Sequence, residues 1–172
     1  PLARGMRALG KTAFVLPNGF DAQTYRTSRL AAIARRQQKD DGLVRIGYAA
    51  GSCTHQRDFA LAVPAVVDVL RDHPRCRLVL FRQGAFGRRL VDPAEFPELE
   101  GVAHQIEWRP LVPLRQLPEE LARFDVNIAP LEVGNVFCEA KSELKFFEAA
   151  LVGVPTVASP TEPFARAVQI GR

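Results

Sequence analysis

The sequence has no long hydrophobic run. No stretch of its 172 residues approaches the 18 or more apolar residues that a membrane-spanning helix needs. The first residues, PLARGMRALGK, also lack the apolar segment of a secretory signal peptide. We therefore expect a cytoplasmic protein, and peripheral association of the full-length protein with the inner face of a membrane is compatible with this expectation.

Cysteine is scarce, and its spacing excludes two classes of protein. Cys53, Cys76 and Cys138 are odd in number and contain no C-x-x-C pair, so the sequence predicts neither a disulfide framework nor a zinc site. No group of histidine, cysteine and acidic residues has the spacing of metal ligands. We therefore expect a reducing compartment and no bound metal or other cofactor.

The sequence also lacks the features of nucleic-acid-binding proteins. Scattered arginines supply most of the basic residues behind the net charge of +4, and no basic block is interleaved with aromatic residues. A P-loop motif, a G-x-G-x-x-G motif after a strand and a G-x-S-x-G motif are absent as well. Nucleic acid is therefore not an expected partner, whereas a small anionic ligand or an anionic membrane surface suits the mild positive charge.

What the sequence does contain is an alternation of short apolar segments with amphipathic ones. Hydrophobic residues make up 47% of the chain, enough for a substantial core. This alternation predicts an α/β fold, a doubly wound parallel sheet of the Rossmann type with helices on both faces. The predicted strands are residues 12–16, 43–49, 77–81, 103–108, 125–129 and 154–158. The predicted helices are residues 1–11, 25–39, 57–70, 92–98, 114–124, 140–152 and 161–168.

The two parts of the chain differ in character. Residues 25–39 are rich in arginine and glutamine with little apolar pattern, which is typical of a connecting helix on the outside of a domain. We therefore interpret residues 1–42 as a connection between domains with a remnant of the preceding domain, and residues 43–172 as the domain itself. Both ends are abrupt, so we expect the chain to be a piece of a longer protein. The helix at 57–70 should turn five apolar residues inward: Phe59, Val63, Val66, Val67 and Leu70.

The most informative region is residues 125–159, a predicted strand, loop, helix, turn and strand. The helix is apolar around most of its circumference, which indicates burial, yet Lys141, Lys145 and Glu148 share one narrow stripe. A solvated Lys145–Glu148 pair would stabilise the helix by only about 0.2–0.5 kcal/mol. The stripe begins just after the carboxyl end of a strand, where ligands bind in open α/β sheets. We therefore favour a cleft wall whose lysines meet a diphosphate and whose glutamate meets ribose hydroxyls.

A second candidate loop follows the strand at residues 43–49. Gly51 permits a close approach of the backbone to a ligand. Ser52 and Thr54 offer hydroxyls or helix caps, and His55 adds a polar ring. The start of the following helix favours an anion, although an ordinary capped turn is the alternative. Because parallel strands share one carboxyl edge, we expect this loop and Lys141 to form one phosphate site.

These motifs resemble the C-terminal, nucleotide-sugar-binding half of GT-B glycosyltransferases, especially glycosyltransferase family 4, over about residues 15–171. Residues 16–21 (LPNGFD) are similar to the PNG-x-D segment where that family passes from its acceptor domain to its donor domain. Residues 46–58 are similar to the first donor-domain strand and its phosphate-side loop. The most specific match is Lys141-Ser142-x-x-Lys145-x-x-Glu148 with residues 153–159, which resembles the signature helix of one branch.

The resemblance implies roles for individual residues. Glu148 would hold the ribose hydroxyls, while Lys141 and Ser142 would meet the diphosphate and the sugar. Arg109, within residues 108–110, lies where the family frames the base. The family signature has another glutamate eight positions before Glu148, where this chain has alanine. Either the adjacent Glu139 substitutes for it or the sugar is held differently.

The resemblance also implies a reaction. A glycosyl group would pass from a nucleoside diphosphate sugar to an acceptor, as in polysaccharide biosynthesis, with retained anomeric configuration and without a metal. Lys145 and Glu139 are the candidate catalytic residues, since a lysine can stabilise the charge that develops on the leaving diphosphate. The N-terminal acceptor domain would be a partner that this chain lacks. We therefore expect weak nucleotide binding and little turnover from the chain alone.

Two other functions stay open at this point. A non-catalytic nucleotide-binding regulatory module would share the sheet but would not need the charged stripe to face a ligand. A sugar-phosphate epimerase of GT-B shape would need acid and base carboxylates in the cleft, and the sequence shows no convincing pair.

Overall fold

A five-stranded parallel sheet forms the centre of the protein, seen in a computed structural model that describes residues 2–38 and 40–170. The strands are β1 (Val44–Gly47), β2 (Cys76–Arg82), β3 (Ile106–Pro110), β4 (Val126–Ala129) and β5 (Thr156–Ala158). Their order across the sheet is β3-β2-β1-β4-β5, and every pairing is parallel. The predicted doubly wound parallel sheet is therefore confirmed.

Helices connect the strands and cover the sheet. The α-helices are α1 (Leu2–Ala8), α2 (Ala22–Gln37), α3 (Gln56–Ala60), α4 (Val63–Asp72), α5 (Leu117–Leu121), α6 (Val136–Glu139), α7 (Leu144–Leu151) and α8 (Glu162–Ile170). Short 3₁₀ helices span Cys53–His55, Pro93–Glu95, Pro97–Gln105 and Leu114–Gln116. Across the described ranges, no helix has both the length and the apolar character that crossing a membrane requires.

Strand β2 shows how both faces of the sheet are buried. Side chains alternate along a strand, so Leu78 and Leu80 lie on one face while Val79 and Phe81 lie on the other. None of the four is more than 3% exposed. The first face packs against α3 and α4, whose predicted inward residues Phe59, Val63, Val66, Val67 and Leu70 are all buried. The second face packs against residues of α5 and α7.

Gly47 at the end of β1 provides a test of this packing. A Cβ atom at this position would lie 2.1–2.4 Å from ring atoms of the fully buried Phe124. Gly47→Ala should therefore lower the free energy of unfolding by about 1–3 kcal/mol through overpacking. Urea denaturation measures the change, and Gly19→Ala is the control, because its added Cβ meets nothing within 4 Å. Equal stability of the two variants would show that the Phe124 ring yields without cost.

Helix α2 is more buried than its sequence indicated. It begins earlier than predicted, at Ala22, because the side chain of Asp21 accepts a hydrogen bond from the backbone N–H of Thr24 at 2.7 Å. Ser28, Ala31 and Ala32 are buried, and the helix packs against α5 and α7. Its small residues allow this close packing without an apolar stripe, so the prediction of a purely external helix was wrong. The predicted last residue, Lys39, lies outside the described part. The domain boundary at residues 42 and 43 stays a prediction.

Several predicted elements differ from the structure. Residues 12–16 form no strand, and Phe14 and Leu16 are 88% and 94% exposed, because no strand of the described chain pairs with them. The helix predicted at 57–70 is split into α3 and α4, and Pro64 lies in the first turn of α4, where proline favours a helix start. The helix predicted at 92–98 consists of 3₁₀ turns that continue to Gln105. Strand β3 therefore begins at Ile106, three residues later than predicted.

Candidate functional site

The order of the strands creates a crevice between β1 and β4. The chain passes from β1 to β2 on one side and later returns to place β4 on the other side of β1. Ile46 of β1 thus pairs with both Leu78 and Val126. The loops that leave β1 and β4 diverge at the carboxyl edge of the sheet, and such a switch point is where open α/β folds bind ligands.

A cleft of about 290 Å³ lies at this switch point. The loop after β1 and the start of α3 contribute Tyr48, His55 and Asp58 to its lining. The region after β4 contributes Lys141, Ser142 and Lys145, together with apolar residues. The structure thus brings together four of the residues that the sequence suggested for one site: His55, Lys141, Ser142 and Lys145.

Lys145 has the most unusual environment in this cleft. Its Nζ lies 4.7 Å from the centre of the Tyr48 ring, a cation–π contact. Burial and the nearby charge of Lys141 lower the pKa of Lys145 to about 8. Its ammonium group is therefore charged at neutral pH but incompletely solvated, so an anion in the cleft would gain a strong partner.

Lys141 is held by a buried carboxylate on another element. Its Nζ donates to Oδ2 of Asp58 at 2.6 Å, and the same oxygen lies 3.2 Å from Nδ1 of His55. The second oxygen, Oδ1, lies 3.5 Å from the thiol of Cys138. Burial would raise the pKa of Asp58, but the hydrogen bonds from Lys141 and His55 outweigh it and lower that pKa below its ordinary value. Asp58 is therefore ionised at neutral pH.

The helix predicted at 140–152 begins later than predicted, at Leu144, which corrects the position of Lys141 and Ser142. Helix α6 ends at Glu139 and α7 begins at Leu144, so both residues lie in the turn between them. The turn carries the ion pair of Lys141 with Asp58, and Ser142 Oγ accepts a hydrogen bond from Asn18 at 2.5 Å. These long-range contacts outweigh the local helical pattern. Lys145 and Glu148 therefore lie together on α7 as predicted, whereas Lys141 is placed beside them by a tertiary contact and not by the same helix.

Glu148 lies one helical turn beyond Lys145 and lines an adjoining cleft of about 350 Å³. Phe20, Leu114 and Phe147 are among the other residues of this second cleft, and Leu144 lines both. Burial raises the pKa of Glu148, and the charge of Lys145 partly offsets that effect. A ligand lying across Leu144 would therefore meet cationic groups on one side and a carboxylate beside an apolar wall on the other.

Two predicted site residues have their charged groups engaged elsewhere. The buried guanidinium of Arg109 donates to Glu120 at 2.7 Å and to Glu107 at 2.8 Å. The carboxylate of Glu139 accepts the backbone N–H of Gly134 at 3.0 Å and that of Glu162 at 2.8 Å, and these bonds lower its pKa. Neither side chain is among the residues that line the two clefts.

The predicted loop after β1 only partly matches its expected form. Ser52 precedes the 3₁₀ helix Cys53–His55 but makes no capping bond with it through its side chain. A Cβ atom at Gly51 would meet no heavy atom within 4 Å, so open space adjoins this part of the backbone. The side chain of Thr54 lies outside the described part of the structure.

Tyr48, Asp58 and Cys138 had not been predicted from the sequence to bind a ligand or to act in catalysis. The available signal was the spacing of His55 and Asp58, which three residues apart share one face of a helical segment. Nothing in the sequence showed that Lys141, 83 residues from Asp58, would pair with it. The pattern around Tyr48 is typical of a core residue, and its ring is indeed buried, but it also faces Lys145.

A larger cavity of about 600 Å³ lies between α2 and α5 and is a weaker candidate. Its two arginines are already paired: Arg35 bonds to Asp125, and Arg123 bonds to Glu120 at 3.1 Å. Within residues 2–38 and 40–170, no three His, Cys, Asp or Glu side chains lie close enough to hold a metal ion. The prediction that no metal is needed stays a prediction.

Three solved structures illustrate what this fold is similar to. One is WaaG, a glycosyltransferase involved in lipopolysaccharide biosynthesis, with a TM-score of 0.59, 15% identity and coverage of 92% of this chain and 40% of WaaG. Another is Alr3699/HepE of Anabaena in complex with UDP-glucose, with a TM-score of 0.60, 18% identity and coverage of 95% and 43%. A third is AviGT4, a glycosyltransferase involved in avilamycin A biosynthesis, with a TM-score of 0.53, 20% identity and coverage of 91% and 42%.

These similarities define the class of fold. The chain shares its α/β fold with part of each of these structures, and it spans about two fifths of their length. A search with protein-family models and a search of curated proteins gave no match.

Proposed function

We propose that this chain is the donor-binding domain of a glycosyltransferase that moves a sugar from a nucleoside diphosphate sugar to an acceptor. The observation that carries the proposal is the convergence of Lys141 and Lys145 at the switch point of the sheet, with Glu148 one helical turn away. The presence of UDP-glucose in the HepE structure supports this class of ligand.

The diphosphate would lie in the cleft between β1 and β4. Lys145 enters this cleft from α7 and Lys141 from the preceding turn, while the segment after β1, which includes Tyr48 and His55, forms the opposite wall. An ammonium group that is partly removed from water gains more from an anion than an exposed one, because less solvation is lost on binding. This arrangement would hold the phosphates without a metal.

The nucleoside would then extend along α7 toward Glu148. An ionised carboxylate accepts hydrogen bonds from both hydroxyls of a ribose, and the apolar wall formed by Leu114 and Phe147 suits the flat face of a base. In this arrangement Arg109 supports the sheet through Glu107 and Glu120 and does not contact the base.

The proposed reaction breaks the bond between the anomeric carbon of the sugar and the diphosphate, which leaves with the electron pair. That carbon forms a bond to the oxygen of an acceptor hydroxyl, whose proton passes to the leaving diphosphate. Negative charge develops on the leaving diphosphate, and Lys145 and Lys141 would stabilise it. Glu139 would shape the loop that faces the sugar, since its oxygens hold the N–H groups of Gly134 and Glu162. Retention of configuration and independence from metal are part of the proposal.

The rest of the proposed enzyme lies outside this chain. An N-terminal domain would bind the acceptor, and a role in polysaccharide biosynthesis is supported by the lipopolysaccharide glycosyltransferase WaaG, whose fold this chain shares. We therefore expect the chain alone to bind nucleotide weakly and to transfer little or no sugar.

Calorimetric titration tests the proposal, with NMR titration as the method for weak binding. UDP should bind more tightly than uridine by about 100-fold, because charge-assisted hydrogen bonds to the diphosphate supply most of the affinity. UDP, UDP-glucose and the corresponding guanosine ligands identify the base and the sugar. If no nucleoside diphosphate binds, or if uridine binds equally well, the proposed function is wrong.

The affinity for UDP should also depend on pH in a defined direction. Lys145 must carry its proton to bind a phosphate, and its pKa in the free protein is about 8. As the pH rises above this value, the free protein loses the proton, so the affinity should fall by up to about tenfold per pH unit. Titrations on both sides of pH 8 measure the effect, and proton uptake should be seen in buffers with different ionisation enthalpies. Constant affinity through this range would contradict the role of Lys145.

A further inference from the structure

Asp58 is the one carboxylate of the described cleft that joins both of its walls. It lies on α3, which follows β1, and it bonds to Lys141, which follows β4. It is only 6% exposed, and both of its oxygens have partners: Lys141 and His55 on one, Cys138 on the other. A buried carboxylate at the centre of an anion site needs an explanation, because its charge repels the proposed ligand.

The geometry shows how Asp58 can assist the site in spite of its charge. An ammonium group has three N–H donors, and the bond to Asp58 occupies one donor of Lys141. The other donors remain for a ligand, while the ion pair fixes the position of a long side chain that would otherwise sample many rotamers. The contact at 3.2 Å holds the His55 ring in the same way.

The charges around Lys145 also indicate that Asp58 assists the site. The titratable groups that face Lys145 are Tyr48 after β1, His55 and Asp58 at the start of α3, Lys141 in the turn before α7 and Glu148 on α7. Lys141 disfavours the charged form of Lys145, whereas Asp58 and Glu148 favour it. Asp58 thus neutralises part of the repulsion between the two lysines.

We propose that Asp58 is a positioning residue, which holds Lys141 and His55 where they contact a diphosphate and allows two lysines to stay charged side by side. This inference rests on the function proposed above. It assigns Asp58 no contact with the ligand. In the free protein the carboxylate of Asp58 is the counter-ion of Lys141. In the complex Lys141 would bind both this carboxylate and the diphosphate.

Asp58→Asn tests the inference, because asparagine keeps the shape and removes the charge. The affinity for UDP should fall by about tenfold, since Lys141 loses its charged partner and its fixed position. Because the charge of Asp58 raises the pKa of Lys145, its loss should lower that pKa below about 8. The pH above which UDP binding weakens should therefore be lower in the variant than in the wild type. Asp58→Glu should restore that pH midpoint. Asp68→Asn on the exposed side of α4 is the matched control and should change neither quantity.

Lys141→Gln provides a test with the opposite sign. It removes the repulsion on Lys145, so the pH midpoint of UDP binding should move above its wild-type value even though the affinity falls. In the double variant, Asp58→Asn should cost much less affinity than it does alone, because its effect passes through Lys141. If Asp58→Asn fails to fold, the pH midpoint can still be measured in Lys141→Gln, and the affinity of Asp58→Glu can be compared with that of the wild type.

The outcomes separate this inference from the proposed function. If the wild-type protein does not bind UDP, the proposed function is wrong and the inference fails with it. If the wild type binds UDP but Asp58→Asn changes neither the affinity nor the pH midpoint, only the positioning role is wrong. An increase in affinity on Asp58→Asn would also overturn it, because Asp58 would then be a competitor of the ligand.

Discussion

Replacement of Lys145 by methionine should lower the affinity for UDP by about 100-fold or more. Methionine fills a similar volume against the ring of Tyr48, so the packing is kept while the charge is lost. Loss of one partner of a desolvated, hydrogen-bonded charge pair costs about 2–5 kcal/mol in binding, a range that spans losses from about 30-fold to about 5,000-fold and includes the expected one. The effect should be the largest of any single substitution in the cleft, because burial, which lowers the pKa of Lys145 to about 8, leaves its charge poorly solvated without an anion.

Calorimetry or NMR titration with UDP measures this loss. Lys145→Arg should retain part of the affinity, since the charge remains. Lys11→Met removes a lysine from the exposed segment after α1 and should leave the affinity unchanged. The stability of Lys145→Met should be equal to or higher than that of the wild type, because a charge is no longer held in a poorly solvated position. Wild-type affinity in Lys145→Met would mean that the cleft does not bind the phosphates.

Replacement of Glu148 by glutamine should remove the preference for a ribose. A carboxylate that accepts hydrogen bonds from two hydroxyls contributes about 1.5–3 kcal/mol per bond, so the affinity for UDP should fall by at least about tenfold. The affinity for 2′,3′-dideoxy-UDP should be nearly the same in the variant and in the wild type, because this ligand lacks both hydroxyls.

Comparison of the two ligands with the two proteins separates recognition from general damage. A variant that is merely misfolded would lose affinity for both ligands, whereas loss of a ribose contact affects UDP alone. Glu119→Gln on α5 is the matched control, since Glu119 is exposed and its replacement removes the same charge. Equal losses for UDP and the dideoxy analogue would place the ribose away from Glu148. Since burial raises the pKa of Glu148, acidification should reproduce the loss of ribose preference as this carboxylate becomes protonated.

The sheet could be predicted from the sequence because its signals are local. Strands such as β2 are short, apolar and bounded by turn residues, and their alternation with amphipathic segments favours parallel pairing. Residues 12–16 carry the same local pattern but have no strand beside them in the described chain, so they stay exposed. A segment forms a strand only if its composition is suitable and another strand lies beside it. The local sequence pattern shows only whether the composition is suitable.

The site was predictable only to the extent that it depends on topology. His55 and Lys145 follow two strands that proved to be neighbours, so a common edge brought them together. Arg109 and Glu139 could not be assigned from the sequence, because their partners at Glu120 and Gly134 are set by tertiary packing or by a tight loop. The pairing of Asp58 with Lys141 has no local signal at all.

The helix prediction in the signature region was right for residues 144–151 and wrong for the residues before them, for the same physical reason. The sequence from 140 to 152 has helical spacing throughout, but in the structure the helix begins only at Leu144. The turn before it places Lys141 against Asp58 and Ser142 against Asn18, contacts that span 83 and 124 residues. A local sequence pattern cannot predict such long-range contacts. In this protein they position the groups that the proposed function uses.

A crystal structure of this chain with UDP is the most direct test of the account. We predict a diphosphate with an oxygen about 3 Å from Nζ of Lys145 and another near Lys141, and a ribose whose hydroxyls meet Glu148. A nucleotide bound between α2 and α5, or bound at the sheet edge with both lysines turned away from its phosphates, would contradict the account.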